Sequence, residues 1–135
     1  MEKNVLSLGL TLNEHPVTID DLKNGHGTIL YNHNIEEVQE ESDGQAAKTV
    51  FRYDSLRVEY PITVNNITRT LLDARYPSDV QQKLLNDYQA ATLDILDEDE
   101  ADEAIDAYKA FLADSKAIKA MVKADCAANN IPNDL

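Results

Sequence analysis

Between Leu6 and Leu12 leucine occupies every second position, with Ser7, Gly9 and Thr11 between. That is the period-two signature of a strand with one buried face. The apolar run begins at Val5, and His15 and Pro16 end it. Residues 20–27 hold Asp-Asp, Asn-Gly and a further glycine, so a loop is expected there, with one helical turn at Ile19 to Lys23. A strand restarts at Thr28. TILYNHNIEEV and KTVFRYDSLRVEY, rich in Ile, Val, Tyr and Phe, flank Asp43-Gly44, a pair suited to a turn with positive φ, and together predict a long hairpin. Both faces of this hairpin carry apolar residues. Its charges Glu36, Glu37, Arg52, Arg57 and Glu59 discourage pairing with a foreign strand.

Beyond Pro61 the period changes from two to 3.6. Ile67, Leu71, Leu72 and Ala74 predict a helix capped by Asn65 or Asn66 and stopped at Tyr76-Pro77, because proline disfavours a helical residue before it. Ser78 followed by Gln81 fits a capping box, so a second helix is expected from Asp79, burying Val80, Leu84, Leu85 and Tyr88. A third starts near Asp99 and carries Ala104, Ile105, Tyr108, Phe111, Leu112, Ile118 and Val122 on one broad face. Unbroken to Ala128 it is roughly 40 Å long at about 1.5 Å per residue, longer than a core of this size covers. It therefore projects or meets another subunit. NNIPNDL reads as a frayed end.

The pattern thus predicts an α+β fold: a small antiparallel sheet with a long β-hairpin, followed by three helices packed against it. One domain is expected over residues 1–135, with 1–62 mainly β, 63–128 helical and 129–135 a flexible tail. A chain of 135 residues, 43% hydrophobic, has material for one core. Its net charge of -13 opposes direct binding to nucleic-acid phosphates or to an anionic membrane surface. No run of about 18 apolar residues exists to span a membrane. Glu2 weakens the basic start that a secretory leader needs, and the single cysteine, Cys126, cannot form an intrachain disulfide.

Charge also decides how the helix–proline–helix of residues 67–88 is read. A DNA-reading helix-turn-helix needs a cationic second helix. Here Arg69, Arg75 and Lys83 are balanced by Asp73, Asp79 and Asp87, a sum of 3 - 3 = 0. The corner is therefore expected to pack helices, not to read bases. Asn66-Ile67-Thr68 matches a glycosylation pattern but sits at a helix start.

DILDEDEADEAID, residues 94–106, holds eight acids and no base. Carboxylates can hold Ca²⁺, but an EF-hand loop needs a glycine at its sixth position and this run has none. Acids at a helix start complement the positive dipole end, as Lys116, Lys119 and Lys123 complement the negative end. At about 100° per residue those lysines share a stripe roughly 60° wide, a candidate surface for an acidic partner. The acidic start of a neighbouring copy is one such partner, in a head-to-tail pairing that high salt weakens. Phe111 and Tyr53 are the aromatic candidates for partner contact. His15, His26, His33 and Cys126 lack zinc-motif spacing, and Asn24-Gly25-His26-Gly27 lacks the Lys-Ser/Thr of a phosphate loop. No catalytic, cofactor or metal residue is assigned, and the protein is expected not to be an enzyme.

The hairpin end VEYPIT, the helix end Ala74-Arg75-Tyr76 and the following Asn86-Asp87-Tyr88, with a last helix AYKAFLADSKAIKAMV, resemble small proteins encoded by phages and prophages of Bacteroides-type gut bacteria. The resemblance covers most of residues 28–125. Its relatives carry a Trp-Arg pair near the position of Phe111 and Leu112, which this chain, lacking Trp, does not. The resemblance implies a phage structural or accessory protein, in the virion or the host cytoplasm, whose partners are other phage proteins or further copies of itself. It implies no catalytic residues. A different class is an acidic decoy that mimics nucleic acid toward a host protein, since 11 acids lie in residues 1–62 and 14 in 63–135. Competition with DNA for a basic host protein separates the two. A third class, a small metal-dependent enzyme, requires an ion that survives dialysis.

Overall fold

The computed structural model describes residues 6–12, 14–41, 44 and 46–133. The chain runs β1 (Leu6–Leu12), β2 (Ile19–Asp21), β3 (Ile29–Glu40), β4 (Lys48–Val58), α1 (Val64–Arg75), α2 (Ser78–Thr92) and α3 (Glu98–Ala128). The strands form one antiparallel sheet in the order β1-β4-β3-β2. This is the α+β architecture that the change of period predicts. One element differs: Ile19–Asp21 is a strand, not a helical turn, because Ile19 and Asp21 pair with Tyr31 and Ile29 on the free edge of β3. Short and acidic, it resists pairing with another chain.

Register settles which hairpin face is covered. Ile29 lies opposite Val58 and Tyr31 opposite Leu56, and all four are buried. They meet Val64, Ile67 and Leu71 of α1 and Ile118, Val122 and Cys126 of α3 in one core. Between His33 and Glu36 the register slips by one residue, a β-bulge at which Asn34 takes φ 51°. On the opposite sheet face the Tyr53 ring lies over Gly9, where a Cβ would come within 2.2 Å of it. The hairpin's outward charges include two ion pairs, Arg52–Glu40 and Arg57–Glu59, both at 3.0 Å.

The helices begin and end on chemistry the local pattern only partly discloses. Thr63, not Asn65 or Asn66, caps α1 through its side chain, which accepts from Asn66 N at 3.1 Å. Asn66 instead donates to the carbonyls of Glu59 and Pro61, tying the helix to the end of β4. The capping box at Ser78 does not form. α2 starts one residue early, at Ser78, after Pro77, and Gln81 donates to the Tyr76 carbonyl at 2.6 Å. Val80 is exposed, whereas Leu84, Leu85 and Tyr88 are half-buried against α3. Leu112 is likewise exposed on α3.

α3 has 31 residues, so at about 1.5 Å each it extends roughly 46 Å. Its C-terminal part carries Ile118, Val122 and Cys126 on the core, while its N-terminal part runs beside α2. There Tyr88 stacks on Tyr108 at 4.6 Å and Tyr76 meets Phe111 edge-on at 4.8 Å. α2 and the start of α3 thus form a two-helix arm. Both helices end in a Schellman motif. In α2, Ile95 N bonds Ala90 O and Asp94 N bonds Ala91 O, with Asp94 at φ 58°. In α3, Ile131 N bonds Cys126 O and Asn130 N bonds Ala127 O, with Asn130 at φ 58°. Residues 131–133 are consequently not a frayed end: Ile131 packs on the core, and the carbonyls of Pro132 and Asn133 accept from Val64 N and Asn65 N. Orphan donors at the start of α1 are thereby satisfied.

Candidate functional site

Along α1, Asn65, Thr68, Arg69 and Leu72 recur at helical spacing and face α3. Lys119 and Lys123, one turn apart on α3, close the opposite wall, and Val64 and Asn133 complete a groove of about 500 Å³. Val64 and Leu72 give it an apolar floor. Arg69, Lys119 and Lys123 give it a cationic rim, and among the described residues no acidic one lines it. Among the described residues none of these three cations is in an ion pair. Arg69 donates a 3.3 Å hydrogen bond to the Asn66 Oδ1 atom. On a chain of net charge -13, a groove whose described lining holds three exposed cations and no acid is a local reversal of field. It suits an apolar segment flanked by carboxylates.

The remaining candidates fall elsewhere. Lys116 is exposed one turn before Lys119 and continues the stripe outside the groove. Phe111 is half-buried between Tyr76 and Tyr108, inside the arm. Tyr53 covers Gly9 on the sheet's other face. The groove residue that the lysine stripe alone does not disclose is Arg69, which lies 50 positions before Lys119 in the sequence.

A second polar assembly lies where the sheet, α1 and α3 meet. The Tyr31 hydroxyl donates to Asp125 at 2.5 Å, and burial followed by that carboxylate raises its pKa far above the usual range. The His33 ring stacks on Tyr31 at 4.6 Å and its Nδ1 lies 3.1 Å from the Tyr31 carbonyl. Arg75 reaches Asp54 and Asp114, each at 3.9 Å, and Asp114 accepts from Tyr76 at 2.7 Å, a bond that raises the pKa of Tyr76. Asn34, at the bulge, donates to Asp54. This assembly fastens the hairpin to both helices. Cys126 beneath it is fully buried, and burial pushes its thiol up to about 11, so it is held protonated and poorly nucleophilic. Among the described residues no three His, Cys, Asp or Glu side chains converge to hold a metal ion. No helix among them is long and apolar enough to cross a membrane.

His33 carries a pH dependence. It is 2% exposed, its Nε2 has no partner among the described residues, and burial lowers its pKa below the usual histidine range, against opposing contributions from the Tyr31 carbonyl and Asp54. A depressed histidine pKa means the unfolded chain takes up the proton first as pH falls. Stability should therefore decline from the ordinary histidine pKa downward through the folded one, in addition to any loss from carboxylates. Urea titrations across that window should show a smaller pH slope for His33→Gln than for the natural chain. Equal slopes would show that His33 is not protonated preferentially on unfolding.

Comparison with protein family models, curated proteins and solved structures finds no match for this chain.

Proposed function

We propose that this chain is a non-enzymatic structural or accessory protein of a phage or prophage that works through protein contacts, and that the groove between α1 and α3 is its principal contact site. The observation that carries the contact role is the groove itself, with an apolar floor beside three cations that form no ion pair among the described residues of an otherwise acidic chain. Its open form suits a segment of another protein. The assembly around Tyr31 and Arg75 supports a structural use of its titratable groups, since Tyr31–Asp125 ties β3 to α3 and Arg75 ties α1 to β4 and α3. The phage setting rests on the resemblance of residues 28–125. Acidity argues against nucleic acid or an anionic membrane as the direct partner.

Quantification by mass spectrometry in purified phage particles and in the lysate of the producing bacterium tests this reading. Recovery in particles, or co-purification from the lysate with a phage protein, is expected. A chain that is abundant in the lysate, missing from particles and monomeric there would overturn it.

A further inference from the structure

The arm ends in a built tip. Leu93 and Ile95 are 69% and 71% exposed, yet the Schellman motif at the end of α2 holds them in a defined backbone conformation. Asp97 then caps α3 by accepting from Glu100 N at 2.9 Å. In such a motif the residue after the left-handed position usually finds an apolar partner on its own helix. At the end of α3 that residue is Ile131, and it packs on the core. At the end of α2 it is Ile95, which faces solvent. Asp94, Asp97, Glu98 and Asp99 lie within four positions of these two aliphatic residues in the sequence, and all four are exposed. The tip therefore joins two exposed aliphatic residues to four exposed acids. The α1–α3 groove joins an apolar floor to three cations.

We infer that the groove's occupant is the arm tip of a second copy of this chain: Leu93 and Ile95 enter over Val64 and Leu72, while the neighbouring carboxylates meet Arg69, Lys119 and Lys123. This pairing rests on the contact role proposed above and gives it a partner. A chain cannot fill its own groove, because Glu98 and Lys123 are 25 residues apart on one continuous helix, roughly 37 Å at about 1.5 Å per residue. Tip-to-tip pairing is opposed by like charge. The contact is thus heterologous, each copy offering one tip and one groove, so copies add head to tail into a ring or an open filament. The small contact area and the exposed charges make it weak and salt-sensitive.

Two variants test it by complementation. K119E/K123E spoils the groove and leaves the tip, whereas L93K/I95K spoils the tip and leaves the groove. All four positions are exposed, so circular dichroism should show both variants folded. At about 50 mM salt, sedimentation of the natural chain should show association that weakens at least about tenfold near 500 mM. Each variant alone should be monomeric. Mixed, they should form a dimer that grows no further, because one intact tip meets one intact groove. Natural chain that stays monomeric at low salt, single variants that still associate, or a mixture that stays monomeric would each overturn the inference. A monomeric chain still recovered in phage particles would defeat this pairing alone and leave the contact role standing.

Discussion

Leu71→Ala should lower the stability of the fold by about 3 kcal/mol. Leu71 is 0% exposed and joins Ile67 on the face of α1 that meets both the sheet and α3. Truncation there removes buried aliphatic carbon and leaves a cavity that the sheet, α1 and α3 would have to collapse together to fill. Close packing around Leu56, Ile118 and Val122 limits such relaxation. Leu112→Ala is the matched control, since Leu112 is 50% exposed on α3, and it should change stability by less than about 0.5 kcal/mol. Chemical denaturation of both variants beside the natural chain provides the comparison. Equal effects would mean that the core is not centred on α1.

Ending the chain after Asn130 should cost about 2–3 kcal/mol, a large loss for a terminal truncation. The deletion removes Ile131 from the core and takes away the Pro132 and Asn133 carbonyls that accept from Val64 N, at 2.9 Å, and Asn65 N, at 3.3 Å. It also breaks the bond from Ile131 N to Cys126 O that closes α3. Hydrogen exchange should show the first turn of α1 losing protection while β3 and β4 keep theirs. Unchanged stability would mean that these residues do not act as a cap. Replacing Ile131 alone with Ala separates the packing contribution from the carbonyl contribution, because the backbone acceptors remain.

Both predictions concern contacts that the linear pattern discloses unevenly. Strands β1, β3 and β4 are legible because Leu6–Leu12 alternates strictly and the hairpin concentrates Ile, Val, Tyr and Phe around Asp43-Gly44. The buried face expected of β1 is not found, since Leu8 and Leu10 are 78% and 65% exposed and, of its described side chains, only Leu6 packs against the core. The helix–proline–helix corner is legible because Tyr76-Pro77 interrupts a period of 3.6. What escapes is decided by tertiary partners. Ile19–Asp21 has turn-forming neighbours and becomes a strand only because β3 offers an open edge. Thr63 displaces the neighbouring asparagines as cap because Asn66 is recruited by carbonyls at the end of the sheet. NNIP reads as a stop signal, and it is one. It then continues as a lid on α1, because Asn130 takes the left-handed conformation and turns Ile131 back onto the core.

The groove shows the same division. Lys119 and Lys123 are visible as one stripe on a helix face. Arg69 and the apolar floor belong to a different helix, and only the crossing of α1 and α3 brings them together. The cluster of Tyr31, His33, Asp54, Arg75 and Asp125 is hidden for a similar reason, since four elements contribute to it and no local spacing announces it. Phe111, conversely, looks like a contact candidate in isolation and lies within the arm's aromatic packing.

The cationic groove between α1 and α3 is the proposed contact site for a partner protein. The corresponding experiment introduces K119E/K123E into the phage or prophage proposed above as the source and quantifies the chain in purified particles and in co-purifying complexes. K48E/K109E makes the same change of charge at exposed positions outside the groove. Groove reversal should abolish recovery while the control leaves it intact. Equal recovery of the two variants would contradict it.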